Sequence, residues 1–340
     1  MRVVITGGAG FIGANLVRYW QLHHPADEVI VLDALTYAGH LTSLPNLDSS
    51  PGLKFICGDI TDGPKIRATL DGADLVIHLA AETHNDRAIA DPLPFVRTNV
   101  LGTAELLEAC RALDIPRVHH VSTDEVFGSL ALEDPGRFTD STPYSPRGPY
   151  SASKAGADHL VRAWSETYGL KSTISNCGNN FGPYQHPEKL IPLVITRILT
   201  GGRVPLYGDG KNVRDWIYVG DHCSAIDTIA HGGKVGTTYL ISGDGEFSNL
   251  EVVRRILSCL NRDISYVDYV TDRLGHDRRY ALDSTRLRSE LGWKPAYSFE
   301  EGLHETIAWY RANQRWWEGL LESPPSHRKP HSNTDYRPSE

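Results

Sequence analysis

Met1-Arg-Val-Val-Ile-Thr-Gly-Gly-Ala-Gly-Phe-Ile-Gly13 opens the chain. The apolar run over residues 2–6 reads as a β-strand. It passes directly into Gly7-x-x-Gly10-x-x-Gly13 and then into a helical pattern over residues 10–21. Glycine allows a sharp turn and lets backbone approach a pyrophosphate without a Cβ in the way. The helix start offers free N–H groups and the positive end of the helix dipole. A glycine turn alone is weak evidence, but Asp33 ends the next apolar run, twenty residues after Gly13. A carboxylate there accepts hydrogen bonds from both ribose hydroxyls and repels a 2′-phosphate, and Ala34 adds no cation that would invite one. These residues, with Phe11 and Ile12 between the glycines, predict an NAD site.

Outward from that stretch, strand patterns recur at residues 28–33, 54–57, 75–79, 117–122 and 171–176. Helical patterns lie between them at 63–71, 99–113 and 149–168. Strands alternating with helices predict an α/β fold, a doubly wound parallel sheet of Rossmann type. Beyond residue 178 glycine and proline become frequent and aromatics mix with polar residues, with helices expected at 190–200, 219–230, 249–260 and 298–312. Residues 1–178 are therefore expected to form the dinucleotide-binding domain. Residues 179–322 form a smaller, irregular substrate lobe, some of whose segments return to the main sheet. The Pro-rich, polar stretch 323–340 reads as a disordered tail.

Composition narrows the partners. Thirty-four Lys and Arg against forty-two Asp and Glu give a net charge of −8, a poor basis for binding nucleic acid or an anionic membrane. No window is apolar for long enough to span a bilayer, and the N-terminus enters a strand at once, so neither a membrane span nor a signal peptide is expected. The five cysteines are scattered without a C-x-x-C pair, which predicts no metal site and a reducing, cytoplasmic setting.

Three further segments suit the dinucleotide. Gly58-Asp59-Ile60 follows the third strand, where Asp59 can meet an adenine amino group with Ile60 against the ring, or simply close a turn. Leu79-Ala80-Ala81 ends the fourth strand with small residues. Asn99 stands at an expected helix start and is expected to face the dinucleotide, although Asn at such a place is often simply an N-cap. The chemistry centres on Tyr150-Ser-Ala-Ser-Lys154. Residues i and i+4 share a helix face, so the Lys154 ammonium is expected to lower the Tyr150 phenol and ready it to take a proton. Thr123 adds a hydroxyl, and Asp124-Glu125 follows at the end of the fifth strand. Hydride transfer needs no carboxylate pair, whereas elimination of water needs a base for C–H and an acid for the leaving hydroxyl.

Gly7, Gly10 and Gly13 with Tyr150 and Lys154 resemble the extended short-chain dehydrogenase family. Thr123-Asp-Glu-Val-Phe-Gly128 is similar to the signature of its dTDP-glucose 4,6-dehydratase branch. So are the segments 78–87, 179–192, 207–216 and 272–283, and the likeness covers about residues 1–320. The resemblance implies tightly bound NAD and a dTDP-glucose substrate. It also implies a homodimer through the helices at 99–113 and 149–168. It places Thr83, His84, Arg87, Asn179, Lys189, Leu190, Pro205, Tyr207, Arg214, Asn249, Arg273 and His276 around the nucleotide sugar. Asn85, Ala88, Phe127 and Gly178 depart from the branch pattern, which usually shows Val, Ser, Tyr and Ser there, and Thr83 replaces a usual Ser. A UDP-sugar epimerase or decarboxylase shares the fold and the Tyr/Lys pair, but an epimerase does not need Asp124-Glu125. A non-catalytic NAD-binding regulator would not need the catalytic groups at all.

Overall fold

The structure is a computed structural model, and it describes residues 1–50 and 52–322. Its main sheet contains β1 (Arg2–Thr6), β2 (Glu28–Asp33), β3 (Leu53–Cys57), β4 (Leu75–His78), β5 (Val118–Thr123), β6 (Ser172–Cys177) and, from far along the chain, a strand at Thr238–Ile241. Between β6 and that strand lie β7 (Asn179–Phe181), β8 (Val204–Tyr207) and β9 (Val213–Tyr218). Thr238–Ile241 is thus β10, followed by β11 (Gly245–Ser248) and β12 (Val267–Val270). The sheet order is β10-β6-β5-β4-β1-β2-β3, and every pairing is parallel. The chain leaves β1 in one direction through β2 and β3, then resumes on the other side at β4. The crevice beyond the carboxyl ends of β1 and β4 is therefore the place where ligands bind in such sheets.

The helices are α1 (Phe11–His23), α2 (Gly63–Leu70), α3 (Asn85–Ala90), α4 (Leu93–Phe95), α5 (Thr103–Ala112) and α6 (Pro149–Tyr168). They continue with α7 (Leu190–Leu199), α8 (Val219–Gly232), α9 (Asn249–Cys259), α10 (Thr285–Leu291), α11 (Phe299–Ala312) and α12 (Gln314–Glu322). One sheet face is covered by α1 and α8, whose Leu16, Val17, Trp20, Cys223 and Ile226 pack on Val3, Ile5, Val29 and Val31. The other face meets α2, α5 and α6 through Ile66, Leu106 and Val161. A separate core around Phe181, Ile195, Trp216, Ile256 and Tyr310 holds the C-terminal lobe. The strongest local signals are kept. Helix α6 starts with Pro149 after Gly148 and stops at Gly169, whose φ of +71° ends the helix without a side-chain clash.

Two expectations need correction. The helix foreseen at 99–113 begins earlier, at Leu93. It passes through one π-helical stretch, Val96–Gly102, before α5, so Asn99 lies inside it and caps nothing. Helices α3, α10 and α12 and strands β7 to β9, β11 and β12 were not foreseen. Most are too short for a periodic signal, and Pro205 sits within β8. Strand β10 joins β6 in the main sheet, as a segment returning from the second half. The tail at 323–340 lies outside the described residues. No helix among the described residues is long and apolar enough to cross a membrane.

Candidate active site

A cleft of about 520 Å³ runs from the carboxyl ends of β1 and β2, past β5, to the lobe carrying β8 and β9. Its floor is the glycine turn. Gly7 has φ +70°, and a Cβ there would lie 2.6 Å from the Ala80 nitrogen. A Cβ on Gly13 would lie 2.2 Å from the Gly7 carbonyl oxygen, so both glycines are fixed by the packing of the turn itself. Gly10 is different: a Cβ there would meet only the Gly7 oxygen, at 3.4 Å. Gly10 is the N-cap of α1 without a side-chain cap, and no acid stands in the first turn. The start of α1, with Phe11 and Ile12, thus opens into the cleft as an anion cradle, and a pyrophosphate fits it.

Asp33 is 8% exposed and lines the cleft. Its Oδ2 accepts from the Ala9 N–H at 2.9 Å and its Oδ1 from the Leu35 N–H at 2.8 Å. Burial raises this carboxyl, with the two main-chain bonds acting the other way. Each oxygen keeps a second lone pair for a ribose hydroxyl. Asp59 does close a turn, since its Oδ1 accepts from Thr61 N and Oγ1, while it and Ile60, Leu79, Ala80 and Ala81 also line the cleft. Asn99 does not line it. Its amide clamps the backbone of Glu82 from both sides, at 2.8 and 3.0 Å, and donates to Ser153. The bulge of the π-helical turn brings this side chain to the wall-forming strand end.

The residues expected to carry the chemistry converge where β5 ends. The Thr123 hydroxyl accepts from the Glu125 N–H and lies 3.2 Å from Asp124 Oδ1. Asp124 is 2% exposed, and its Oδ2 has no hydrogen-bond partner among the described residues. Burial, then the charges of Glu125 and Asp215, raise its carboxyl well above the usual value and so favour its protonated form. Glu125 accepts from the Asn85 amide Nδ2 at 3.1 Å. Tyr150, buried in contact with Ala88 and Phe95, faces the same space.

The lysine expectation is corrected here. Lys154 lines the cleft, but its Nζ donates to the Val121 carbonyl at 2.9 Å and lies 3.5 Å from His120 Nε2. The Tyr150 phenol is raised, not lowered. Burial is the main cause and the Glu125 charge the next, with the Thr123 hydroxyl acting the other way. Burial and the neighbouring carboxyl groups outweigh whatever a lysine bonded to the Val121 carbonyl contributes.

The lobe supplies the far wall. Arg214 is 4% exposed, donates to the Val213 and Asp277 carbonyls and lies 4.3 Å above the Tyr280 ring. Arg273, Tyr207, Pro205, Leu190, Asn249, Thr83 and Asn179 line the same wall, and Asn179 Oδ1 is buried without a partner among the described residues. Lys189 reaches the Thr83 carbonyl. His276 sits 2.6 Å from Asp272 and is pushed down to about 4, chiefly by burial and then by Arg273. At neutral pH it can therefore offer a hydrogen bond but no charge. His84 is pushed down to about 3, first by burial and then by Lys189 and Arg87. Arg87 stands outside the cleft lining, 3.3 Å from Glu188 and stacked on Tyr37.

Residues 4–306 match the family described as GDP-mannose 4,6 dehydratase. The chain belongs to this family. Among its relatives, a dTDP-glucose 4,6-dehydratase of Mycobacterium tuberculosis (strain CDC 1551 / Oshkosh) is 54% identical over 324 residues, 95% of this chain and 97% of the relative. One from Escherichia coli is 47% identical, covering 94% and 95% of the two chains. Among solved structures, the Streptomyces venezuelae dTDP-glucose 4,6-dehydratase DesIV, crystallised with NAD, has a TM-score of 0.91 and 50% identity and covers 94% of this chain and all of its own. A UDP-glucose 4-epimerase of Thermus thermophilus follows at 0.84 and 29%, covering 92% and 100%.

Within this family fold, several cleft residues were missed by reading the sequence. Glu82, Asp86, Gln185, His186 and Tyr280 line the cleft, and Tyr280 donates to Asp277 Oδ2 at 2.6 Å. Asn85 was expected near the substrate as a departure from the branch pattern, but not as a partner of Glu125. None carries a local signal, because each gains its place from a loop folding over a distant strand end.

Proposed function

We propose that the chain converts dTDP-glucose to dTDP-4-keto-6-deoxyglucose as an NAD-dependent 4,6-dehydratase. The observation that carries this reading is Asp124. It is a buried carboxyl whose pKa is raised by its surroundings, with one oxygen unpartnered among the described residues, beside Glu125 and in the same cleft as Tyr150 and the dinucleotide cradle. When bound, NAD supplies the acceptor for the C4 hydride, the donor that returns it to C6, and a positive ring charge. The positive charge that NAD would bring offsets the burial and carboxyl charges that raise the Tyr150 phenol, so that as a phenolate Tyr150 would take the O4 proton. The resulting ketone acidifies C5–H, which Glu125 removes. Asp124, already protonated, gives its proton to the C6 hydroxyl as water leaves, and Glu125 returns a proton to C5. Asp33 and the start of α1 hold the dinucleotide, while Arg214 and Arg273 face the substrate diphosphate with Asn179 and Lys189 near the sugar.

Epimerisation needs neither Asp124 nor a leaving-group acid, so it leaves the site's most perturbed carboxyl without a task. The same reading includes a homodimer through α5 and α6, supported by the exposed Leu93, Val96 and Leu101 in the segment leading into α5. Five free cysteines, three of them buried, suit a reducing cytoplasm. Incubation with a panel of nucleotide hexoses, scored by mass, tests the assignment. Loss of one water from dTDP-glucose is expected, and a product of unchanged mass would move the assignment to epimerisation.

A further inference from the structure

Asn85 is the first residue of α3, and its Nδ2 lies 3.1 Å from Glu125 Oε2 and 3.4 Å from Oε1. The contact links the loop after β4 to the turn after β5. The other groups whose charges bear on Glu125 are Asp124, Tyr150 and Tyr280, with Arg214 from β9 and Lys189 before α7. A glutamate side chain turns about three bonds, and a base works only with a lone pair aimed at the carbon acid. An amide N–H spanning both oxygens removes that freedom.

We propose that Asn85 is a positioning residue, whose amide holds the Glu125 carboxylate in the plane from which it removes the C5 proton of the bound 4-keto sugar. The proposal rests on the dehydratase reading and assigns a residue that the reading does not require.

The test separates proton removal from hydride chemistry. Holoenzyme is incubated in D2O with the 4-keto-6-deoxy product, and deuterium entering C5 is followed by mass. Oxidation at C4 is read separately, as reduced-nicotinamide absorbance in a single turnover of dTDP-glucose. Asn85→Leu keeps volume but removes the donor; Asn85→Asp puts a like charge there; Asn85→Ser keeps a shorter donor. C5 exchange should fall roughly 10- to 100-fold in Asn85→Leu, further in Asn85→Asp and less in Asn85→Ser, with C4 oxidation within about twofold of wild type. Equal losses in both readouts would mean a merely structural role, and unchanged exchange would remove the proposal. Wild-type protein that eliminates no water would instead overturn the dehydratase reading, and the proposal with it.

A different observation carries a second site, at the opposite end of α1. His24, just after α1, places Nε2 3.0 Å from Asp227 Oδ1, and His231, one turn further along α8, places Nδ1 2.8 Å from the same oxygen. The three ligand atoms lie within 4.8 Å of one another. Tyr19 reaches Asp227 Oδ2, and Trp20 packs against both imidazoles. The geometry points to a binding site for a divalent transition-metal ion such as Zn2+, clamping α1 to α8. Ligand atoms around tetrahedral zinc stand about 3.3 Å apart, so a small opening admits the ion, and His231, on the exposed side, gives it entry.

The full chain, stripped of metal, is titrated with Zn2+ by calorimetry and followed by thermal unfolding. One equivalent per chain is expected, with a Tm that rises with zinc and an affinity roughly tenfold or more weaker in His231→Ala. Zinc binding unchanged in the His24→Ala/His231→Ala double variant would place the ion elsewhere and would overturn the proposal. Wild-type protein that neither binds zinc nor gains stability would overturn it as well.

Discussion

Asp124 carries the sharpest residue-scale consequences. Its carboxyl is raised in the fold, so the folded state prefers it protonated. Below the unfolded value, near 3.8, it is protonated in both states and contributes no difference. As pH rises above that, the unfolded chain gains by ionising and the folded protein is penalised, until the folded carboxyl itself ionises. Asp124→Asn removes the penalty. Its Tm at pH 7 should exceed that of wild type, while water elimination slows by on the order of 10²–10⁴-fold. A variant less stable than wild type at pH 7 would mean that Asp124 is not held neutral. Glu125→Gln should behave differently, with C4 oxidation preserved and elimination blocked. Reduced nicotinamide should then accumulate on the enzyme and be visible by absorbance.

At the scale of the element, the turn before α1 separates packing from ligand space. Gly13→Ala forces a Cβ to within 2.2 Å of a backbone oxygen, so this variant should unfold at distinctly lower temperature. Gly10→Ala meets only the Gly7 oxygen at 3.4 Å and has φ −78°, open to any residue. Its Tm without cofactor should stay close to wild type, while NAD affinity in a fluorescence titration drops by roughly tenfold or more, because the methyl stands in the phosphate cradle. The same titration with NADP checks Asp33, since the carboxylate fixed by Ala9 and Leu35 should disfavour the 2′-phosphate. Equal binding of the two dinucleotides would contradict that role.

For the whole molecule, the decisive question is whether the two half-reactions share one enclosed space. Tyr150, Asp124 and Glu125 line a single cleft with the glycine turn, so the hydride taken from C4 should return to C6 of the same sugar. Mixing C4-deuterated substrate with fully ¹³C-labelled sugar should give deuterium at C6 only in ¹²C product. Deuterium crossing into ¹³C product would mean that an intermediate leaves between steps. The fold also ties its halves together. Residues 1–178 alone lack β10 and lose α8, whose Cys223 and Ile226 cover the β1–β2 face. That fragment should show no cooperative melt by circular dichroism.

Sequence alone determined the parallel sheet and the glycine turn, and it placed Asp33 and Thr123-Asp124-Glu125 at strand ends and Tyr150 at a helix start. In each, the meaning lies in spacing along one element or in one strand-to-helix turn, and local periodicity reports that. The tertiary structure decided what depends on segments far apart meeting. It fixed Lys154 on the Val121 carbonyl and raised the Tyr150 phenol by burial. It turned Asn99 from a helix start into a clamp on Glu82, and set Asn85 against Glu125 across forty residues. Desolvation and cross-chain hydrogen bonds are properties of a packed neighbourhood, and no window of sequence contains one.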